Sequence, residues 1–148
     1  MRLTAYTDFS VRMLIYLAIH IDRSVTIQEI AQSFRISRAH LMKVAHQLGV
    51  MGYIETTRGR NGGLRLALEA HEIELAEVVA RTEPDMALVP CFSPRETTCA
   101  IVPVCVLRRE TEEARAAFMD VLGNYTLADL AAPKSKLKSL LAHAHETG

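Results

Sequence analysis

Two short helical patterns joined by a tight connection, followed at once by a glycine-rich hairpin pattern, occupy the segment from Thr26 to Leu68. Thr26-Ile-Gln-Glu29 is a capping box, in which the threonine hydroxyl and the glutamate carboxylate each satisfy a backbone N–H left free at a helix start. It predicts a helix that carries Ile27, Ile30 and Ala31 inward and ends near Phe34. Arg35-Ile36 is the connection, Ser37 is placed to cap the next helix, and that helix is expected from Arg38 to about Val50, with Gly52 as its stop. Two helices separated by a turn of three or four residues make a helix-turn-helix pattern. YIETTR (Tyr53–Arg58) then reads as a strand, GRNGG (Gly59–Gly63) as a turn, and LRLAL (Leu64–Leu68) as a returning strand with its leucines alternating inward. Upstream, Tyr6, Phe9, Met13, Leu14 and Leu17 fall at helical spacing, so a first helix is expected from about Ala5 to His20 with Thr4 as its N-cap. Three helices followed by a basic-tipped hairpin is the order of a winged helix. The fold class expected is mainly α with a small β-hairpin wing: a winged helix-turn-helix DNA-binding domain plus a long dimerisation helix.

At about 100° per residue, Leu41, Val44, Ala45 and Leu48 of the third helix share one face, and Ala39, His40, Lys43, His46 and Gln47 occupy the opposite arc. That arc offers hydrogen-bond donors, a cation and one small residue, the groups a recognition helix brings to base edges in a major groove. Ser37 and Arg38 at the helix N-terminus are placed for phosphate. Arg58, Arg60 and Asn61 sit at the hairpin tip, where an arginine can enter a narrow minor groove. Any solvated helix face carries such residues; the capped helix pair and the arginine-bearing wing are what favour DNA. With 17 basic and 17 acidic residues the net charge is zero, so binding has to come from this local patch. No apolar run is long enough to span a bilayer and no signal peptide opens the chain, so a cytoplasmic protein is expected. No Ser-His-Asp arrangement, phosphate loop or paired-carboxylate cleft speaks for an enzyme.

All three cysteines fall in CFSPRETTCAIVPVC, residues 91–105, and four of the five prolines lie between Pro84 and Pro103. In a reducing compartment an odd, clustered set of thiols favours metal binding or redox chemistry over structural disulfides. A structural zinc site would want a fourth cysteine or a nearby histidine, and no histidine lies between His71 and His143. Soft thiolates converging from an irregular loop suit an iron–sulfur cluster better. Three cysteines leave one iron of a [4Fe–4S] cluster open or held by an unusual ligand. Three unrelated buried thiols, and a thiol- or zinc-sensing repressor without iron, remain as alternatives.

Beyond the loop, Val104, Leu107, Thr111, Ala114, Phe118, Val121 and Tyr125 alternate three and four residues apart. This is a heptad seam along a helix expected from about Pro103 to Leu122. It can pack on its own domain, or pair with its copy through Leu107, Ala114, Phe118 and Val121. Pairing would set two recognition helices about one DNA turn apart on a palindrome. Thr126-Leu-Ala-Asp129 starts another helix, and the tail KSKLKSLLAHAHETG continues as a short one. The organisation expected is a DNA-binding domain over 1–83, a cluster-binding loop over 84–102, the dimerisation helix and a short helix over 103–132, and a tail over 133–148.

LTAYTDFSVRMLIYLA, SRAHLMKVAHQLGVMGYIETTRGRNGGLRL, the three spaced cysteines and NYTLADL together resemble the NsrR branch of the IscR-like winged-helix regulators, the Rrf superfamily. The resemblance covers nearly the whole chain, to about Ala132. It implies a cytoplasmic homodimer that binds double-stranded operator DNA and carries an iron–sulfur cluster between the wing domain and the dimerisation helix. In the NsrR branch the cluster is [4Fe–4S]; nitric oxide destroys it and the repressor leaves DNA. Carried onto this chain, Cys91, Cys99 and Cys105 match the cluster ligands. Asp8 matches an acidic position that such proteins offer as fourth ligand from the partner subunit, and as a first-turn aspartate it also complements the helix dipole. IscR members have a histidine shortly after the third cysteine, completing a [2Fe–2S] site; here Val106, Leu107, Arg108 and Arg109 follow instead. Iron-responsive repressors of the same superfamily use similar cysteine spacing, so an iron or redox signal stands beside nitric oxide as the alternative.

Overall fold

The computed structural model describes residues 2–60, 62–92 and 99–146, the last four by backbone alone. Helix α1 (Ala5–Ile19) begins where the Thr4 hydroxyl accepts a hydrogen bond from the Thr7 N–H at 3.2 Å. Helix α2 (Ile27–Phe34) opens on the expected capping box: the Thr26 N–H donates to Glu29 Oε2 at 2.7 Å, and the Glu29 N–H to Thr26 Oγ1 at 3.2 Å. It closes at Arg35, which adopts a left-handed conformation with φ 53°, the one non-glycine positive φ among the described residues. Helix α3 (Arg38–Val50) runs over the expected residues, with one correction at its start. Ser37 stands at the N-cap but its side chain makes no cap hydrogen bond; its carbonyl instead accepts from the Leu41 N–H at 3.1 Å. Gly52, at φ 82°, ends the helix in a Schellman motif: the Tyr53 N–H reaches the Leu48 carbonyl at 3.0 Å and the Gly52 N–H the Gly49 carbonyl at 3.1 Å.

Strands β1 (Ile54–Thr57) and β2 (Gly63–Leu66) pair antiparallel, with Ile54 opposite Leu66 and Thr56 opposite Leu64. Leu64 and Leu66 are buried as expected, but β2 stops at Leu66 and Leu68 is 41% exposed, because the chain leaves the sheet for a short turn at Ala70–Glu72. The wing is fastened along its other edge to the strap that leads into α2. The Leu64 N–H donates to the Val25 carbonyl at 2.8 Å, the Val25 N–H returns a bond to the Leu64 carbonyl at 3.0 Å, and Arg65 Nε donates to Ser24 Oγ at 2.9 Å. Gly63 permits this approach: a Cβ there would lie 2.7 Å from the Val25 carbonyl oxygen.

One core joins Met13, Leu14 and Leu17 of α1, Ile30 of α2, Leu41 and Leu48 of α3, and Leu64 of the wing. It extends to Ile73, to Val78 of α4 (Leu75–Thr82), and to Leu127. Helix α5 (Val106–Gly123) packs on α4 yet contains no buried residue. It starts three residues later than expected, because Pro103 belongs to a separate turn over Val102–Val104. The chain then returns to the core. The Leu127 N–H bonds the Ile73 carbonyl at 2.8 Å, placing α6 (Leu127–Ala131), with its Thr126–Asp129 capping box, against α1. The tail forms α7 (Lys134–Glu146), which lies across α2 and α1 with Leu141 against the core.

Candidate DNA interface and thiol site

Burial of Leu41, Val44, Ala45 and Leu48 fixes how α3 is rolled and so decides what it shows outward. Ser37, Arg38, Ala39, His40, Lys43, His46 and Gln47 are all exposed. The His40 ring stacks on Phe9 of α1 with centroids 6.1 Å apart, which ties one side of the outward arc to the domain. Met42, 53% exposed, lies on the same outward surface and was not among the residues singled out from the sequence. The selection there followed polarity; the signal that finds Met42 is geometric, since it falls three residues from Ala39 and off the buried stripe. Between α3 and β1 runs a groove of about 460 Å³ whose lining includes Ile27, Met42, Val50 and Thr56.

Arg58 and Arg60 are exposed at the wing tip, beside Gly59 at φ 110°; Asn61 lies outside the described residues. Sequence reasoning missed the fastening behind this tip, where Ser24 meets both Arg65 and, at 3.4 Å, the Thr57 hydroxyl. Arg23 adds an ion pair to Glu29 at 2.7 Å at the start of α2. Burial pushes the Glu29 carboxyl up, but hydrogen bonds from Thr26 and Arg23 outweigh it and hold the group below its ordinary value.

The three cysteines are free thiols. Cys91 is half-buried in the turn Pro90–Phe92, Cys99 is exposed, and Cys105 is half-buried at the N-cap of α5. Among the described residues no three His, Cys, Asp or Glu side chains gather as a metal-holding group, so the single chain does not bring these thiols and Asp8 together. The Asp8 carboxylate instead pairs with Arg12 at 2.9 Å, and that guanidinium lies 5.8 Å from the centre of the Phe34 ring. The donor set nevertheless suits an anionic, soft-metal cluster. The Cys105 side chain makes no cap hydrogen bond and stands at the N-terminus of an 18-residue helix, the end at which a helix favours negative charge. The first turn of α5 holds no acidic residue, and Arg108 and Arg109 follow directly. Cations at a helix N-terminus oppose the dipole, and a set of thiolates beside them relieves that opposition. Phe92, Cys105, Arg108 and Arg109, with Glu112 and Glu113 one turn further on, line a cavity of about 600 Å³; the Arg108 guanidinium lies 5.9 Å from the centre of the Phe92 ring and Arg109 pairs with Glu110 at 2.7 Å.

The profile of the Rrf2 family, described as an iron-dependent transcriptional regulator, matches residues 3–133. The chain belongs to the Rrf2 family. Its Rrf2 relatives include the HTH-type transcriptional regulator NsrR of Shouchella clausii (strain KSM-K16), 46% identical over 142 residues that cover 95% of each chain. NsrR of Bacillus subtilis (strain 168) is 45% identical over 142 residues, covering 95% of this chain and 97% of that one. Among solved structures, CymR, the global cysteine regulator of B. subtilis, superposes with a TM-score of 0.73 at 22% identity, covering 89% of this chain and 97% of that one. That likeness shows the fold: the winged-helix architecture expected from the sequence is the one this Rrf2 chain adopts. The protein is a DNA-binding transcriptional regulator. Among the described residues no helix is long and apolar enough to cross a membrane.

Proposed function

We propose that this Rrf2 regulator is a homodimeric repressor of palindromic operators whose signal is nitric oxide, received at a [4Fe–4S] cluster. Cys91, Cys99 and Cys105 hold the cluster, with the partner subunit's Asp8 as fourth ligand. When bound, the cluster supplies an iron not held by thiolate, open to a small diatomic molecule. Three chain features support the rest of the reading. Cys105 stands at the N-cap of α5 with its side chain uncommitted to a capping bond. The Asp8 carboxylate is 43% exposed and can turn one oxygen to a metal while the other keeps Arg12, which sits against Phe34 at the end of α2. Leu107, Ala114, Phe118 and Val121 of α5 are not buried by their own chain and are available to a second copy. On DNA, Ser37 and Arg38 hold phosphate, Ala39, His40, Lys43 and Gln47 face the major groove, and Arg58, Arg60 and Asn61 follow the minor groove. Ordering of the thiol segment against α5 fixes the spacing of the two recognition helices, and its release makes the DNA-competent spacing one state among several.

What carries the reading is the coincidence of 46% identity to an NsrR protein with three free thiols in the segment that leads into α5. Protein prepared without oxygen and supplied with iron and sulfide is expected to be coloured. Cys99→Ala is expected to abolish the colour while leaving a folded dimer. Titration with nitric oxide should bleach the protein and weaken operator binding by roughly thirtyfold, the effect of losing about 2 kcal/mol of preferred geometry. The family's description as iron-dependent favours a second reading, in which iron supply is the signal. An iron chelator that releases DNA where nitric oxide does not would establish that one instead. A colourless protein would return the site to a thiol or zinc sensor, or to plain thiols.

A further inference from the structure

Met42 is the one large apolar side chain in the first half of α3 that the core does not take. It is 53% exposed, whereas Leu41 beside it is fully buried. At about 100° per residue, Met42 lies next to Ala39 and on the wing side of Lys43 and His46. It borders the groove between α3 and β1, so its unbranched thioether has room to move. An apolar side chain on the outward surface of a recognition helix gains nothing from water. Inside a major groove the apolar feature it can meet is the C5 methyl group of thymine, because every other edge there presents hydrogen-bond donors or acceptors. Exposed Lys43, His46 and Arg38 surround it, a setting that fits a polyanion and departs from protein interface cores, which are depleted in lysine.

On the proposed reading of α3 as the recognition helix, on which this step rests, we infer that Met42, with Ala39 beside it, reads a thymine methyl in each operator half-site. Met42 is then a specificity-determining residue, while Ser37 and Arg38 at the helix start supply phosphate affinity that does not depend on sequence. The site takes the methyl by contact alone. Burying one such carbon corresponds to about a fourfold change in affinity.

The test uses duplexes enriched from a randomised library by the full-length protein prepared without oxygen. Each thymine is then replaced, one at a time, by deoxyuridine, which removes the methyl and keeps the base pair. At one thymine or more per half-site, binding should weaken about fourfold. Met42→Gln should be indifferent to the same replacement, Met42→Leu should remain sensitive, and neither variant should shift thermal unfolding. Arg38→Ala should weaken every duplex alike and flatten the salt dependence. Indifference of the unaltered protein to every deoxyuridine overturns the inference and leaves DNA binding standing. So does a Met42→Gln protein that stays fully sensitive, or one that changes only its oligomeric state. A protein that enriches no duplex overturns this inference and the DNA reading of α3 together.

Discussion

Helices α3 and α5 carry apolar residues at the same three- and four-residue spacing, and the chain treats them in opposite ways. Leu41, Val44 and Leu48 of α3 are 0%, 2% and 0% exposed, while Leu107 and Val121 of α5 are 63% and 57% exposed. The contrast lies in their neighbours. Helix α3 is enclosed by α1, α2 and β1, whereas α5 packs on α4. At roughly 25 cal/mol for each Å² of apolar surface removed from water, a helix whose apolar residues are at most half-buried adds less to its own fold than α3 does. Its apolar stripe acquires stabilising value only when something outside the chain covers it. Amphipathic spacing therefore tells that a face is to be covered and leaves open what covers it.

The sharpest way to break this contrast is to place a charge in the α5 seam. Phe118→Glu should raise the dimer dissociation constant about a thousandfold, the equivalent of ~4 kcal/mol for an unpaired charge in an interface, measured by sedimentation equilibrium. Thermal unfolding should change little. Collapse of the fold with unaltered association would assign α5 to the core of its own domain. Truncations test the same difference more gently. Leu48→Ala should lose about 2–5 kcal/mol in urea unfolding, because its cavity cannot refill. Leu107→Ala, compared in the Phe118→Glu background, should stay within about 0.5 kcal/mol, as an exposed side chain does. The smallest effect lies inside the packed half, at two neighbouring helix starts. Thr26→Ala should lose about 1 kcal/mol with its capping bond, while Ser37→Ala, which removes no such bond, should lose less than half of that. Equal losses at both positions would mean that Ser37 does cap α3 in solution.

Much of the winged helix was legible because its signals are local. The Thr26–Glu29 box, the Gly52 stop and the alternation of Leu64 and Leu66 each act within a few residues, and each is found where the sequence puts it. What was missed depends on distant partners. Leu68 continues the alternation in sequence, but its register is useful only while β2 has a neighbour. Pro103 fits a first helical turn, yet the chain spends it on a separate turn before α5. Arg65 and Ser24 are ordinary surface residue types until the fold sets them 2.9 Å apart. At the thiol segment, spacing identified the donors and their chemistry but not their convergence. Asp8 shows why: its i, i+4 partner Arg12 satisfies it within one chain, so the sequence position alone could not say which partner it keeps.

Gly63 faces neither DNA nor the thiol segment, yet the 2.7 Å that separates its missing side chain from the Val25 carbonyl ties two parts of the chain to one fate. A methyl group at that point would push on the two residues that lead into α2, not on the hairpin tip. Damage to operator reading would then arise from an alteration remote from any nucleotide. A wing transplanted from another protein would seat only if it brought its own bare backbone to this junction.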